Sequence, residues 1–403
     1  MSRVMPFAAL RPPRGLAVQV AAPPYDVVNS DEARAYARGN PRSFFRVSRP
    51  EVDFPAGTDE HSAQVYARGR DNLRELISNG TLVADDSPRF YAYRQRMGKH
   101  VQVGLVACAS VAEYDQALIK KHELTRKDKE DDRTQHIDVL GGNDEPVFLT
   151  YRARPDLDGL MAHVVSGAPE YDFVTEDGIG HTLWVIARDM GERIQRAFTE
   201  VPVLYIADGH HRSAAASRVH ALRKGKPGEH DAFLAVIFPH DQMQIMDYNR
   251  VVKDLRGQAP AAFLKAVEQH FTVTPTTEKQ PGKLHDFGMY LGGNWYRLTA
   301  RPGSWKATVL GELDVNILQE NVLGPLLGIG DPRTDKRIHF VGGIRGMGEL
   351  EKLVDKEGWA VAFSMFPTTL PQLMAIADAG EIMPPKSTWF EPKLRSGLFL
   401  HVF

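Results

Sequence analysis

Residues 203–212 read Val-Leu-Tyr-Ile-Ala-Asp-Gly-His-His-Arg and contain the clearest local pattern in the chain. Its first five residues are apolar and few enough for a short buried strand, whereas the alanine-rich segment from Ser213 to Arg223 favours a helix that ends near Gly225. Asp208-Gly209 therefore predicts a strand that passes through a glycine turn directly into a helix. Strands that alternate with helices in this way indicate a mixed α/β fold.

The beginning of that helix is a predicted anion site. Backbone N–H groups in the first turn have no partner within the helix, and the helix dipole adds partial positive charge there. His210, His211 and Arg212 bring further donors, and a planar guanidinium suits phosphate oxygens. Positive charge at a helix N-terminus costs ~0.3 to 1 kcal/mol per group, so these residues indicate a ligand. The alternative is structural: Asp208 caps the helix and the histidines are ordinary turn residues.

A dedicated metal site is not predicted from the paired histidines. Adjacent histidines point in different directions, and the chain contains no His-Glu-x-x-His spacing. A metal-dependent hydrolase that uses His210 and His211 stays open as an alternative function.

Residues 121–136 form the second cationic element. Five basic and five acidic residues between Lys121 and Arg133 cancel in net charge, but a helix would separate them. Its basic face would carry His122, Arg126, Lys129, Arg133 and His136, at i, i+4, i+7, i+11 and i+14. Such a row of like charges is unfavourable by a few tenths of a kcal/mol per pair, which a polyanionic ligand would reverse. The alternative is an exposed helix stabilised by salt bridges such as Glu123 with Lys127.

The C-terminal segment from Gly380 to Thr388 superficially resembles the phosphate-binding pattern G-x-x-x-x-G-K-[ST]. Pro385 stands in place of the second glycine and offers no backbone N–H, so a Walker-type NTPase is not predicted. The segment is instead predicted to be a stiff Pro-Pro loop that could bind a phosphate. Its polar residues are Lys386, Ser387 and Thr388, followed by Lys393. The alternative is a surface loop anchored by its aromatic side chains.

The length of 403 residues exceeds what one hydrophobic core usually supports, so we expect three regions. An N-terminal α/β region covers 1–150 and contains the charged helix 121–136. A central region, 151–275, carries the strand-turn-helix, and a C-terminal α/β region, 276–403, carries the Lys386 loop. Within the first region, 62–79 has helical spacing, and 89–94 with 102–109 resemble paired strands.

Composition narrows the class of protein. Hydrophobic residues make up 43% and charged residues 25%, as in folded globular proteins, and the formal net charge of -2 argues against nucleic-acid or anionic-membrane binding. A single cysteine, Cys108, excludes an intramolecular disulfide. The first 20 residues lack the apolar core of a signal peptide, and no stretch of ~18 apolar residues occurs, so a cytoplasmic protein is expected.

Several motifs together resemble the bacterial family called domain of unknown function 1015, across nearly the whole chain. They are Pro24-Tyr25-Asp26-Val27, Lys121-His122-Glu123 with Thr125-Arg126 and Lys129 to Arg133, Ala207-Asp208-Gly209-His210-His211-Arg212, and Met383-Pro384-Pro385-Lys386-Ser387-Thr388 with Phe390 and Pro392-Lys393. The Asp-Gly-His-His-Arg turn also resembles that of free serine kinases, which share the ParB/sulfiredoxin fold and phosphorylate L-serine using ATP or ADP with magnesium.

The resemblance implies a ParB/sulfiredoxin-like core with additional α/β elements at both ends, and phosphoryl transfer from ATP or ADP, with Mg2+, to free L-serine. It makes Asp208, His210, His211 and Arg212 site residues. As a hypothesis, Asp208 or Glu123 draws the serine proton while His210 and His211 hold donor phosphates. The remaining predicted phosphate- or nucleotide-binding residues are Gly209, Arg212, His122, Arg126, Lys129, Arg133, Lys386, Ser387, Thr388 and Lys393.

A different class of function stays open beside the kinase. A ParB-like regulatory protein would bind a nucleotide and DNA without transferring phosphate, although the balanced charge counts against DNA binding.

Overall fold

A computed structural model describes residues 2–403, which form two compact units. The first unit contains the chain up to Met243 together with Pro392–Phe403, and the second contains Gln244–Glu391. Strands from the expected regions 1–150 and 151–275 pair in one sheet of the first unit. The two units are described separately below.

The described residues contain both strands and helices throughout, so the predicted mixed α/β class is confirmed. The strands are β1 (Val4–Met5), β2 (Leu10–Arg11), β3 (Val83–Ala84), β4 (Tyr91–Met97), β5 (His100–Ser110), β6 (Ile119–Lys120), β7 (Gly142–Asn143), β8 (Val147–Tyr151), β9 (Tyr171–Val174), β10 (Gly180–Val185), β11 (Leu204–Asp208), β12 (Ala232–Pro239), β13 (Gln244–Met246), β14 (Tyr248–Val252), β15 (Phe271–Pro275), β16 (Asp286–Leu291), β17 (Asn294–Ala300), β18 (Ile338–Gly342), β19 (Val361–Met365), β20 (Trp389–Glu391) and β21 (His401–Val402).

The helices differ widely in length, from one turn to more than four. They are α1 (Ala17–Val20), α2 (Ser30–Ala37), α3 (Phe45–Ser48), α4 (Ala63–Ser78), α5 (Val111–Asp115), α6 (Lys127–Leu140), α7 (Pro155–Val165), α8 (Arg188–Phe198), α9 (His210–Leu222), α10 (Pro260–Val267), α11 (Asp314–Leu318), α12 (Met347–Lys356) and α13 (Leu370–Asp378). None of the helices within residues 2–403 combines the length and apolarity needed to cross a bilayer.

The first unit is built on a nine-stranded mixed sheet in the order β6-β11-β8-β12-β5-β4-β10-β9, with β1 paired to β5. The pairs β11 with β6 and β12 with β8 are parallel, and the other pairs are antiparallel. Every residue of β8 and β12 is buried. These strands are therefore continuous apolar runs, as expected for strands covered on both faces.

Helix α9 packs beside α6 through small side chains. Ala215 is fully buried and contacts Ile137 of α6 together with Val219. Alanine allows the two helix backbones to approach closely, because it adds little volume between them. This packing places the first turn of α9 next to the segment that enters α6.

The prediction of one continuous helix over 121–136 is wrong at its beginning. Helix α6 begins at Lys127, and Arg126 before it has extended backbone angles (φ -95°, ψ 133°). The backbone N–H groups of His122 and Arg126 donate to histidine rings of α9 and not to helical carbonyls. The predicted row of basic side chains on one face therefore does not form, because its first two members lie outside the helix.

Other predicted elements of the first unit are confirmed with shifted ends. The helix expected over 62–79 is α4, and the expected strand pair is the β4-β5 hairpin, whose turn contains Gly98. The alanine-rich helix begins at His210, three residues earlier than the sequence suggested.

The second unit contains a six-stranded antiparallel sheet in the order β15-β17-β16-β19-β14-β18. Helix α12 packs against it through Leu350 and Leu353, which join Val251 and Ala362 in one apolar cluster. A separate two-stranded pairing joins β13 to β20 near the two ends of this unit.

Gly104 offers a test of the central sheet. A Cβ added there would lie 2.8 Å from Cγ1 of Val236 and 2.9 Å from the ring of Phe238. We expect Gly104→Ala to destabilise the protein by ~1–3 kcal/mol, because overpacking forces neighbouring side chains or strands apart. Calorimetric unfolding measures the change.

The matched control is Gly159→Ala in α7, where an added Cβ meets nothing within 4 Å. This substitution should be neutral or stabilise by up to ~1 kcal/mol, because alanine favours the helix. Equal transition midpoints for the two variants would contradict the close packing at Gly104.

Candidate functional site

The strand-turn-helix at β11 and α9 requires its glycine. Gly209 is the residue before the helix and has φ 97°, a left-handed conformation that other residues adopt at a cost. A Cβ at this position would also lie 3.0 Å from Nε of Arg212. A side chain at position 209 would therefore be disfavoured twice, by the backbone conformation and by the close Arg212 guanidinium.

Two cations hold Asp208 at the end of β11. Nζ of Lys393 lies 2.9 Å from Oδ2 of Asp208, and Nη2 of Arg212 lies 3.8 Å from Oδ1. Burial would raise the pKa of Asp208, but the attraction of Lys393 and Arg212 outweighs it and holds that pKa well below the usual range. Asp208 is therefore a fixed anion and a weak proton acceptor.

The segment that precedes α6 lies against the first turn of α9. The backbone N–H of His122 donates to Nε2 of His210 at 3.4 Å, and the backbone N–H of Arg126 donates to Nε2 of His211 at 3.1 Å. Two of the three predicted elements thus meet at one place, even though the second is not helical there.

The three histidines of this place favour the neutral form. Burial lowers the pKa of His122 to about 4 and that of His210 well below its usual value, and His122 lowers the pKa of His210 further. Burial also lowers the pKa of the half-buried His211, against the opposing effect of Asp26. At neutral pH these rings therefore act through single N–H donors and lone pairs, without full positive charge.

A compact group of possible ligand atoms lies at the same place. The rings of His122 and His210 have their centroids 4.5 Å apart at nearly perpendicular planes. One nitrogen from each ring and a carboxylate oxygen of Glu123 lie within 4.8 Å of one another. Neither ring nitrogen of His122, which is 1% exposed, has a hydrogen-bond partner.

Arg212 is turned inward. It is buried, and its Nη1 donates to the carbonyl of Pro146, which precedes β8. Burial lowers the pKa of Arg212, but Asp26 and Asp208 outweigh this and raise it. In this arrangement the guanidinium joins β8 to the glycine turn, and its predicted contact with phosphate stays a prediction.

Two of the predicted basic residues of α6, Arg133 and His136, have buried acidic partners. Arg133 is buried, pairs with Asp132 at 2.9 Å and lies 4.0 Å above the ring of Tyr25. His136 is also buried and pairs with Asp144 at 2.9 Å. Lys129, at the beginning of α6, is half-buried.

Two further carboxylates, which the sequence analysis did not assign to the site, lie near this place. Asp26 is exposed but close enough to influence the pKa of His211 and Arg212. Glu145 is buried, and burial together with Asp144 raises its pKa to about 7. The sequence feature that could have indicated Asp26 is the motif that contains Tyr25-Asp26, in which prolines impose extended backbone just before a polar residue.

The interior behind the turn leaves little room for a ligand. A cavity of about 10 Å3 is lined by Arg133, Glu145, Arg212 and neighbouring residues, and such a volume holds at most one water molecule. A larger ligand does not fit this cavity, whereas the exposed Asp26 and Arg126 and the half-buried His211 are accessible from outside.

The predicted C-terminal loop belongs to the second unit, apart from Lys393. Lys386 is exposed and has a left-handed backbone (φ 60°), and its carbonyl accepts a hydrogen bond from Arg250 at 3.1 Å. Ser387 is buried and donates to the Pro384 carbonyl at 2.6 Å, while Thr388 is half-buried. A phosphate-binding role for Lys386, Ser387 and Thr388 stays a prediction.

Three solved structures give the range of similarity. A free serine kinase in complex with AMP matches at 13% identity and a TM-score of 0.36, with 73% of this chain and 92% of that chain covered. SbnI with a C-terminal truncation, from Staphylococcus aureus, matches at 10% identity and a TM-score of 0.38, covering 73% and 87%. A conserved hypothetical protein from Pyrococcus furiosus matches at 12% identity and a TM-score of 0.34, covering 73% and 95%.

Sequence comparison gives the family. No curated protein matches the chain. The family model described as "Protein of unknown function (DUF1015)" matches residues 4–316, more than three quarters of the chain. The resemblance stated from the motifs is thereby confirmed, and the chain belongs to the DUF1015 family.

Proposed function

We propose that this protein transfers a phosphoryl group from ATP or ADP to the hydroxyl of a small molecule, with free L-serine as the acceptor. The observation that carries the proposal is the meeting of the first turn of α9 with residues 122–126, through the contacts to His210 and His211. Phosphoryl transfer asks a protein mainly to position two reactants and to stabilise charge. A glycine turn into a helix N-terminus, surrounded by further donors, supplies both.

His211 is the clearest candidate for a side chain that donates a hydrogen bond to the nucleotide phosphates. Its Nε2 accepts the N–H of Arg126 and is therefore unprotonated, so the neutral ring carries its proton on Nδ1. That N–H donates to a phosphate oxygen, with the helix dipole adding positive potential. The exposed guanidinium of Arg126, now paired with Asp128 at 2.7 Å, adds charge when a nucleotide attracts it.

Asp26 is the proton acceptor that we propose for the hydroxyl. Of the two expected acceptors, Asp208 is held as an anion by Lys393, and Glu123 lies in the cluster with His122 and His210. Asp26 is exposed beside His211, where the phosphates are proposed to lie. Its carboxylate would orient the serine hydroxyl and take its proton as the bond to phosphorus forms.

Mg2+ is proposed to arrive with the nucleotide. It favours oxygen ligands and usually retains several waters, so donor phosphates with few protein ligands suffice to hold it. Bound there, it would neutralise charge on the transferred group.

Incubation of the purified protein with L-serine, Mg2+ and either ATP or ADP should yield O-phosphoserine, detected by mass spectrometry. The control replaces L-serine with L-alanine, which lacks the hydroxyl. Nucleotide binding without product from either donor would reject the kinase proposal and favour the ParB-like regulatory alternative.

Asp26→Asn should lower kcat for O-phosphoserine formation by ~10²- to 10⁴-fold, because an amide does not accept the proton. Nucleotide affinity, measured by isothermal titration calorimetry, should change far less. The matched control is Asp31→Asn, whose carboxylate is 89% exposed in the first turn of α2. Equal rates for the two variants would exclude Asp26 as the acceptor.

A further inference from the structure

His122 poses an energetic problem for the first unit. Its side chain is 1% exposed, and neither ring nitrogen makes a hydrogen bond. The Ile206 carbonyl lies near enough to influence the ring without completing a hydrogen bond of normal geometry. Burying a polar group without a partner is unfavourable, so such groups in native proteins usually have a ligand, a water or an ion.

The surroundings of His122 identify the kind of partner. A second imidazole from His210 and the carboxylate of Glu123 present ligand atoms within 4.8 Å of the ring. The contact between the His122 N–H and Nε2 of His210 is long, at 3.4 Å, so a metal ion at that lone pair would replace only a weak hydrogen bond. Zn²⁺ bonds to imidazole nitrogen and carboxylate oxygen at ~2.0–2.2 Å, so the three side chains would draw closer together around a bound ion.

The ligand types also fit a metal ion. Metal ions bind imidazole through the lone pair of a ring nitrogen, and His122 and His210 each place one such nitrogen in the cluster. Two imidazoles and one carboxylate suit divalent transition metals, whereas Mg²⁺ prefers sites made of oxygen alone. Three protein ligands also leave at least one coordination position for water or a ligand.

We propose that His122, Glu123 and His210 bind one divalent transition-metal ion of the Zn²⁺ or Mn²⁺ class, with an open coordination position. Glu123 is then a ligand, which agrees with the assignment of proton acceptance to Asp26. This metal site is independent of the proposed phosphoryl transfer, because it is inferred from the ligand atoms alone. Metal binding can be measured without any catalytic turnover.

The test uses the full-length protein after removal of metal with a chelator. Titration with Co²⁺ should give visible d–d absorption that saturates at one ion per chain, and Zn²⁺ should displace the Co²⁺. A large excess of Mg²⁺ should leave the absorption unchanged. Absence of saturable Co²⁺ binding, or displacement by Mg²⁺, would overturn the proposal.

Variants locate the ion. Glu123→Gln and His210→Gln should each weaken Co²⁺ binding on the order of 100-fold or more, and circular dichroism confirms that each variant is folded. His220→Gln is the matched control: it lies on the same helix, and its ring contacts that of His230 with nitrogens 3.3 Å apart. Full binding by both Glu123→Gln and His210→Gln, or equal loss in His220→Gln, would refute the site.

The metal proposal and the kinase proposal fail separately. Saturable Co²⁺ binding without O-phosphoserine formation would support the metal site and reject the kinase. O-phosphoserine formation by a protein that binds no Co²⁺ would support the kinase and reject the metal site.

Discussion

The ion pair between Asp208 and Lys393 is the interaction on which the candidate site depends. Asp208 is the last residue of β11 and precedes a glycine with φ 97°, so its carboxylate is fixed close to the first turn of α9. A carboxylate buried without a cation would favour protonation. With Lys393 at 2.9 Å it stays charged, and the cation also offsets negative charge where an anionic ligand is proposed to bind.

The histidines of this site are neutral, a protonation state that the sequence alone does not indicate. Several His and Arg residues in a sequence indicate a positively charged site, but burial keeps His122 and His210 neutral. The Arg212 guanidinium donates to the Pro146 carbonyl. The site therefore combines directed N–H groups, lone pairs and a helix dipole, and relies less on full cations than its composition indicates. Directed dipoles stabilise charge without reorganising when a ligand arrives.

The sequence predicted the local framework well, because local patterns determine it. The apolar run before Asp208, the glycine and the alanine-rich segment lead directly to β11 and α9. The beginning of α6 was misplaced, since the backbone of His122 and Arg126 binds side chains some 85 residues away in the chain, which no periodicity encodes. Asp26 was not among the predicted site residues for the same reason, since its neighbours His211 and Arg212 are distant in sequence. Long-range partners, and the protonation states that burial imposes, required coordinates.

The chain order of the first unit also has a consequence for biosynthesis. Lys393 follows Asp208 by 185 residues, and the whole second unit is translated between them. While a ribosome is still making that insert, the first unit lacks the counter-ion of Asp208 and the short strand β21, which pairs with β7 in a separate two-stranded sheet. The ion pair between Asp208 and Lys393 can therefore form only after residue 393 has emerged from the ribosome.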